Sequence, residues 1–396
     1  MNPIHWLYQL AVVCVLNLKN LRYRLDSSLV AIIGFTGVIM VFVAVFAIRD
    51  GFDATLRETG SPDVAIVMRG GAGAEVNSVL SGNDAKLVAQ APGISSGTNG
   101  PLASMQLLVQ LSLPKISTGL DNNVPFRGID ANGFLVHDKV HIIAGRSFKP
   151  GLNEVIVGVR ASHEYKGLTL GSVIHSGPYK WNVVGIFDDG GMYSSEVWGD
   201  LSVLQAAYRR GSSIESVYAK LASPTAFQAF KDELTTNPQL SVSVERETDF
   251  YAEQSKNMNN FITGAGALIA FLMGIGAIFG AVNTMYNSVS SRAAEIATLR
   301  AIGFGRSPVL LSVLVEGMLL GLVGGVVGGG LAYVLFNGIE TSTMGANFAQ
   351  IAFQFRVTSH LLVLSTLYAL LMGLLGGLLP GVRAIRMPIA ASLRQL

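Results

Sequence analysis

Between Asn283 and Pro308 the chain reads NTMYNSVSSRAAEIATLRAIGFGRSP, a polar and charged stretch set between two long apolar runs. It alternates charge (Arg292, Glu295, Arg300) with apolar residues (Ile296, Leu299) over a stretch rich in helix formers. Such a set suits binding rather than bond-making: two apolar contacts with a charged rim, on a short amphipathic helix. Ser290 and Ser291 are its candidate N-caps, Gly303 and Gly305 end it, and Pro308 opens the next helix. A second candidate is Glu316, the one ionisable residue inside a long apolar run, where a carboxylate is expensive and calls for a partner. Two roles are open to it: a structural pairing at a helix contact or with the charged loop, or a proton or substrate role.

Other constellations are missing from the sequence. HExxH and CxxC do not occur, and neither does GxxxxGK[ST], so no ATP hydrolysis is expected from these residues. Gly70, Gly71 and Gly73 form a flexible turn without the Lys-Ser/Thr of a phosphate loop. His137 and His141 are four apart, but VHDKVHI alternates as a strand would, so they would not share a helical face. We expect no metal site, no cofactor in this chain and no nucleic-acid partner. Cys14 is the single cysteine, which excludes an intramolecular disulfide. It falls in an apolar run, as a packing residue.

The elements that carry the charged stretch are apolar. Half of the 396 residues are hydrophobic, 14% are charged and mean hydropathy is +0.46, whereas soluble domains are about 25% charged. Four runs are long enough for the roughly 20 residues that cross a bilayer: 29–48, 261–282, 309–336 and 361–381, the last ended by Pro380 and Gly381. Glycines recur at four-residue spacing in them: Gly276 and Gly280, then Gly321, Gly325 and Gly329, then Gly373 and Gly377. That spacing lets helices approach closely, in a static seam or a sliding one. Ile4–Leu16 is too short to span. It is expected as an interfacial helix or as an extension of the first span, with no cleavable signal peptide.

Residues 49–260 form the one large polar segment. Val64–Met68, Glu154–Gly158 and Trp181–Phe187 have strand character, and Asp84–Ala91 and Thr225–Asn237 have helical spacing. The pattern is α+β, large enough for one big or two small domains. The fold class expected is therefore an α-helical membrane protein with four transmembrane helices and a large extracytoplasmic α+β domain inserted between the first two. Residues 1–28, 283–308 and 382–396 hold nine Lys or Arg against two acidic residues, while the connector 337–360 has Arg356 as its one basic residue. The positive-inside rule puts those three segments in the cytoplasm and residues 49–260 outside.

This layout resembles the permeases of the MacB/FtsX-type (type VII) ABC transporters. Arg292, Glu295, Ile296, Leu299, Arg300, Ala301 and Gly303 match that family's Arg-x-x-Glu-Ile-x-x-Leu-Arg-Ala-x-Gly coupling segment. Phe279–Arg292 upstream and Glu316, Gly321, Gly324, Gly325 and Gly328 downstream fit it as well. Gly145–Ile174 followed by Trp181–Gly191 is similar to its periplasmic core domain, while residues 60–140 are not diagnostic. The resemblance implies an inner-membrane protein with a periplasmic domain, working as a dimer. It implies ATP and Mg bound by a separate ATPase subunit, because the exporter branch fuses its ATPase ahead of a first span that only 28 residues precede here. It further implies that ATP-driven motion, gripped at Arg292, Glu295, Ile296, Leu299, Arg300 and Gly303, is delivered to the outer domain (mechanotransmission) within a lipid membrane. Three outcomes fit: export with a periplasmic adaptor and outer-membrane duct, extraction of lipoprotein or lipid, or regulation of cell-wall hydrolases. The large outer segment weighs against the third, and the second usually pairs two different permeases.

Overall fold

The computed structural model describes residues 6, 8–13, 25–97, 100–344 and 350–389. These divide into two compact units. The described residues of the first fall within Met1–Gly51, Asn260–Ile339 and Phe355–Leu396, and the second comprises Phe52–Asn259 and Glu340–Gln354.

The first unit is helical. Among the described residues, four helices are long and apolar enough to cross a membrane: Leu25–Thr59, Glu247–Ser291, Arg306–Phe336 and Ser359–Arg386. Each contains the expected apolar run but overshoots it, and the unit boundaries at Gly51 and Asn260 fall inside the first two. Pro380 does not end the fourth helix, which continues to Arg386. Pro380 is buried, and neighbouring helices can support a proline within such a helix. The third and fourth helices make the tightest seam. A Cβ at Gly325 would sit 2.9 Å from the Ala369 Cβ, and one at Gly329 3.2 Å from Leu362. Gly321 faces the Ala369 carbonyl, and Gly317 and Gly373 face each other's carbonyls, more closely still. Gly377 lies against Val313. Gly324 and Gly328, on another face of the third helix, meet Phe35 and Thr36 of the first. Gly276 and Gly280 depart from the expectation: among the described residues, nothing lies within 4 Å of a Cβ at either position. Spacing alone could not say which face of the second helix turns inward.

The second unit is built on a ten-stranded mixed sheet. Its strands are β1 (Val64–Arg69), β4 (Ala103–Pro114), β5 (Asp121–Ile129), β6 (His141–Gly145), β7 (Glu154–Gly158), β8 (Val173–Ser176), β9 (Tyr179–Asp188), β10 (Val197–Asp200), β11 (Ser216–Lys220) and β12 (Val242–Arg246). The short β2 (Ser96–Gly97) and β3 (Gly100–Pro101) pair only with each other. The order is β12-β1-β11-β4-β5-β10-β7-β9-β6, with β8 on β9. The β10–β5 and β7–β9 pairs are parallel and the others antiparallel. One face is apolar and carries two clusters. Leu107, Phe126 and Trp181 belong to one; Val67, Val217 and Phe230, the last from helix Phe227–Thr236, belong to the other. Strand period puts the next residues along on the opposite face. Gln106, Arg127, Trp198, Ser216 and Tyr218 are there, all buried and mostly polar.

Two sequence expectations change here. The connector 337–360 contains a hairpin, β13 (Glu340–Met344) and β14 (Gln350–Gln354), that packs into the second unit: the Ala352 N–H donates to Ser195 Oγ at 3.1 Å. The run around His137 is not a strand, because a short helix, Gly133–Val136, precedes it and β6 starts only at His141. His137 is buried, while His141 is exposed.

Candidate functional site: the charged loop of the helical unit

The second long helix runs to Ser291, so Ser290 and Ser291 lie in its last turn and cap nothing downstream. Ser291 Oγ donates instead to the Ser288 carbonyl. Arg292 breaks the helix, with φ −105° and ψ 12°, and occupies the N-cap position of a nine-residue helix, Ala293–Ala301. A Schellman turn closes that helix: the Phe304 N–H reaches the Leu299 carbonyl at 3.0 Å and the Gly303 N–H the Arg300 carbonyl at 3.3 Å. Gly303 takes φ +103°, in the left-handed region that glycine enters without a Cβ clash. Gly305 is the N-cap of the third long helix rather than a stop for the short one.

Arg292 is not a rim charge. It is buried, and it pairs with the Glu316 carboxylate of the third helix. Its Nη2 also donates to Ser288 Oγ at 2.9 Å, while that hydroxyl donates to Glu316 Oε1 at 3.1 Å. Ser288, Arg292 and Glu316 thus form a buried triad joining the break between two helices to the flank of the third. Sequence reasoning missed Ser288, although its position one helical turn before Arg292 was a signal. Ile296 also turns inward, into the core of this unit. Arg300 is half-buried and donates to the Met387 carbonyl at 2.8 Å, just past the fourth helix. Arg383 of that helix lies over the Tyr286 ring, 5.3 Å from its centre.

The outward face holds Glu295, Thr298 and Ile302, three or four residues apart and all exposed. Ile302, 69% exposed, is the large apolar side chain left bare in the loop, and sequence reasoning had placed that role on Ile296 and Leu299. Leu299 is half-buried and lines a cavity of about 330 Å³ with Ile296, Val289, Val309, Val313 and Val13. Residues 8–13 are helical and abut the loop, with Gln9 Oε1 accepting from the Gly305 N–H and Trp6 Nε1 donating to Ser307 Oγ. The rest of Ile4–Leu16, with Cys14, and the basic residues Lys19, Arg22, Arg24 and Arg394 lie outside the described residues.

The periplasmic core domain model of MacB-like proteins matches residues 28–237, and the FtsX-like permease C-terminal model matches residues 267–389. The chain belongs to the MacB-like permease family of ABC transporters. A macrolide export ATP-binding/permease protein MacB of Rhodopseudomonas palustris strain HaA2 is 26% identical over 278 residues, which is 64% of this chain and 41% of that protein. MacB 1/2 of Paracoccus denitrificans is also 26% identical, over 61% of this chain and 37% of the relative. The chain therefore spans about two fifths of the length of these MacB relatives. Among solved structures, the periplasmic region of MacB from Actinobacillus actinomycetemcomitans is 15% identical at a TM-score of 0.37, covering 49% of this chain and 92% of its own. In this MacB-like permease, the charged loop lies inside the FtsX-like region and the ten-stranded sheet begins within the core-domain match.

Proposed function

We propose that the chain is a permease subunit through which a cytoplasmic ATPase works on a periplasmic domain, in an exporter assembled with a periplasmic adaptor. The supporting observation is the short helix Ala293–Ala301. It presents Glu295, Thr298 and Ile302 outward, while Arg292–Glu316 and Arg300–Met387 anchor it to the third helix and the end of the fourth. A helix anchored at both ends passes a displacement to those helices instead of absorbing it. The partner ATPase binds ATP and Mg, and a second copy of this permease completes the pair of ATPase docking sites. The loop, with residues 1–28 and 382–396, faces the cytoplasm, a reading supported by the excess of basic residues there. Two arrangements of the long helices, biased by nucleotide state, form the switch. The export reading draws on the names of the MacB relatives.

The test is substitution of the outward face and the cavity wall: Glu295→Ala, Ile302→Asp and Leu299→Asp in the assembled complex. Loss of ATPase copurification, or ATP turnover uncoupled from the permease, is the expected result. Unchanged turnover and copurification in all three would overturn the docking assignment.

A further inference from the structure

The polar face of the sheet in the second unit holds a fully buried network. Arg127 lies between two carboxylates, donating to Glu75 at 2.9 and 3.1 Å and to Glu196 at 2.7 and 2.8 Å. Gln106 Oε1 accepts from Arg127 at 3.0 Å, so its amide nitrogen faces His137 Nε2, at 2.7 Å. His137 is held neutral by burial and by Arg127 beside it. With Nε2 accepting, its ring proton sits on Nδ1, which faces Glu247 Oε1 at 3.8 Å. A chain of phenols runs from the same carboxyl. The Tyr193 hydroxyl donates to Glu247 Oε1 at 2.9 Å and lies 2.8 Å from that of Tyr251, which is 3.3 Å from that of Tyr218, which donates to Glu75 at 3.0 Å.

Glu247 occupies a particular place in the chain. It is the first residue of the second long helix, well ahead of the apolar run 261–282. Its Oε2 accepts from the Ser61 N–H at 2.9 Å, and Ser61 follows closely on the end of the first long helix at Thr59. The two strands of chain touch there: a Cβ at Gly60 would fall 2.9 Å from the Thr248 Cα. Lys139 Nζ caps the first helix through the Glu58 and Gly60 carbonyls, and Thr59 Oγ1 accepts from the Met192 N–H at 2.6 Å. Asp53 accepts from Ser255 and Asn259 lower on the same pair of helices. Within this unit the end of one long helix is fastened to the start of the other, and Glu247, which directly follows β12, belongs to that fastening.

We propose that Glu247 is a proton-operated clasp: with its carboxyl protonated the two helix ends stay fastened at Ser61, and with the proton lost the clasp loosens. The charged form is unfavourable in place above all because the carboxyl is buried, and Glu75 lies near it on the phenol side; the guanidinium of Arg127 is already shared by Glu75 and Glu196. His137 offers a neutral N–H and Lys139 stands beyond it on the backbone carbonyls. The phenols of Tyr193, Tyr218 and Tyr251 stay protonated, because burial raises each of them well above its usual range. Burial likewise pushes the Glu247 carboxyl up to about 7, against the hydrogen bonds from Tyr193 and Ser61. A carboxyl raised in the closed state binds its proton more tightly there than when hydrated. Closure is therefore favoured below the ordinary carboxylate range and opposed as pH rises through about 7. Opening admits water to the carboxylate. This inference stands independently of the assignment of the charged loop.

Hydrogen–deuterium exchange on the full chain in lipid nanodiscs tests it, followed at residues 58–63 from pH 5.5 to 9 and corrected for intrinsic exchange. The expected result is a fall in protection of about tenfold through neutrality, while the β4 amides around Leu107 keep theirs. Glu247→Gln should hold protection flat across that range. Tyr193→Phe, which removes a hydrogen bond to the carboxylate, should move the midpoint to higher pH. As a second readout, the infrared band of a protonated carboxyl should disappear through the same midpoint and be missing from Glu247→Gln. Protection at 58–63 that does not change with pH overturns the proposal. So does an unaltered midpoint in Glu247→Gln or, should that variant not fold, in Tyr193→Phe.

Discussion

At the residue scale the decisive pair is Arg292–Glu316. Both side chains are buried, and removing one partner leaves a charge with no water to receive it. Glu316→Ala should cost about 3–5 kcal/mol of stability, whereas joint replacement by Arg292→Met and Glu316→Leu should recover most of that. Thermal unfolding of the purified chain in detergent checks both, and additive losses in the double variant would contradict a direct pair. Arg292 and Glu316 are both visible in the sequence as a loop cation and an apolar-run acid, but twenty-four positions separate them, and no local spacing rule links residues that far apart. Glu215 makes a pH prediction at this scale. Burial pushes its carboxyl up to about 7, against the hydrogen bond from the Leu108 N–H. Its contribution is full below the unfolded value of about 4.3 and lost as pH rises through about 7. That loss is on the order of 3 kcal/mol. Denaturant melts of the chain at pH 5 and pH 8 should differ in that direction, and Glu215→Gln should shrink the difference.

At the element scale, glycine separates what spacing can and cannot tell. Gly321 and Gly325 sit where the third and fourth helices touch, and Gly303 holds a left-handed turn. Gly321→Leu should force those helices apart at about 1–3 kcal/mol, and Gly303→Val should cost about 1–2 kcal/mol through its backbone alone. Gly276→Leu and Gly280→Leu, with open space around them, should lie within about 0.5 kcal/mol of the native chain. Melting temperatures of the four variants in one detergent would show the ordering. A loss at Gly276 as large as at Gly321 would mean that the open face is covered in solution. The four-residue period was legible because it is a property of one helix. Which of two such faces is occupied depends on the neighbour, and the neighbour is remote in sequence.

At the scale of the whole molecule, apolar side chains remain exposed along the long helices, among them Phe261, Phe271, Val334 and Leu379. A soluble protein would not leave so many uncovered, while a bilayer supplies the missing solvent. Phe271→Lys should therefore impair membrane insertion, at a cost of about 2.5–3.5 kcal/mol for a cation at the middle of a span. A glycosylation or protease-protection assay of the inserted fraction measures it. The second unit solves the opposite problem. Its sheet buries apolar residues on one face and, on the other, a guanidinium, a histidine and several carboxyls and phenols that must all be mutually bonded. Replacing Arg127 by Met alone should unfold this unit more readily than any single apolar truncation in it, because Glu75 and Glu196 would then be buried without their counter-charge.

The sequence by itself determined the four apolar helices, the α+β class of the large insertion and the position of the charged loop. Each follows from composition and period over neighbouring residues, and hydrophobic length or strand alternation expresses itself locally. Tertiary structure alone decided that Arg292 turns inward to Glu316, that Ile302 rather than Ile296 is bare, and that the connector after the third helix becomes a hairpin in the sheet-based unit. It also decided that Glu247 meets Ser61 across nearly two hundred residues. In each case a polar or apolar group is satisfied by a partner brought to it by packing, and the separation along the chain carries no trace of that distance in space.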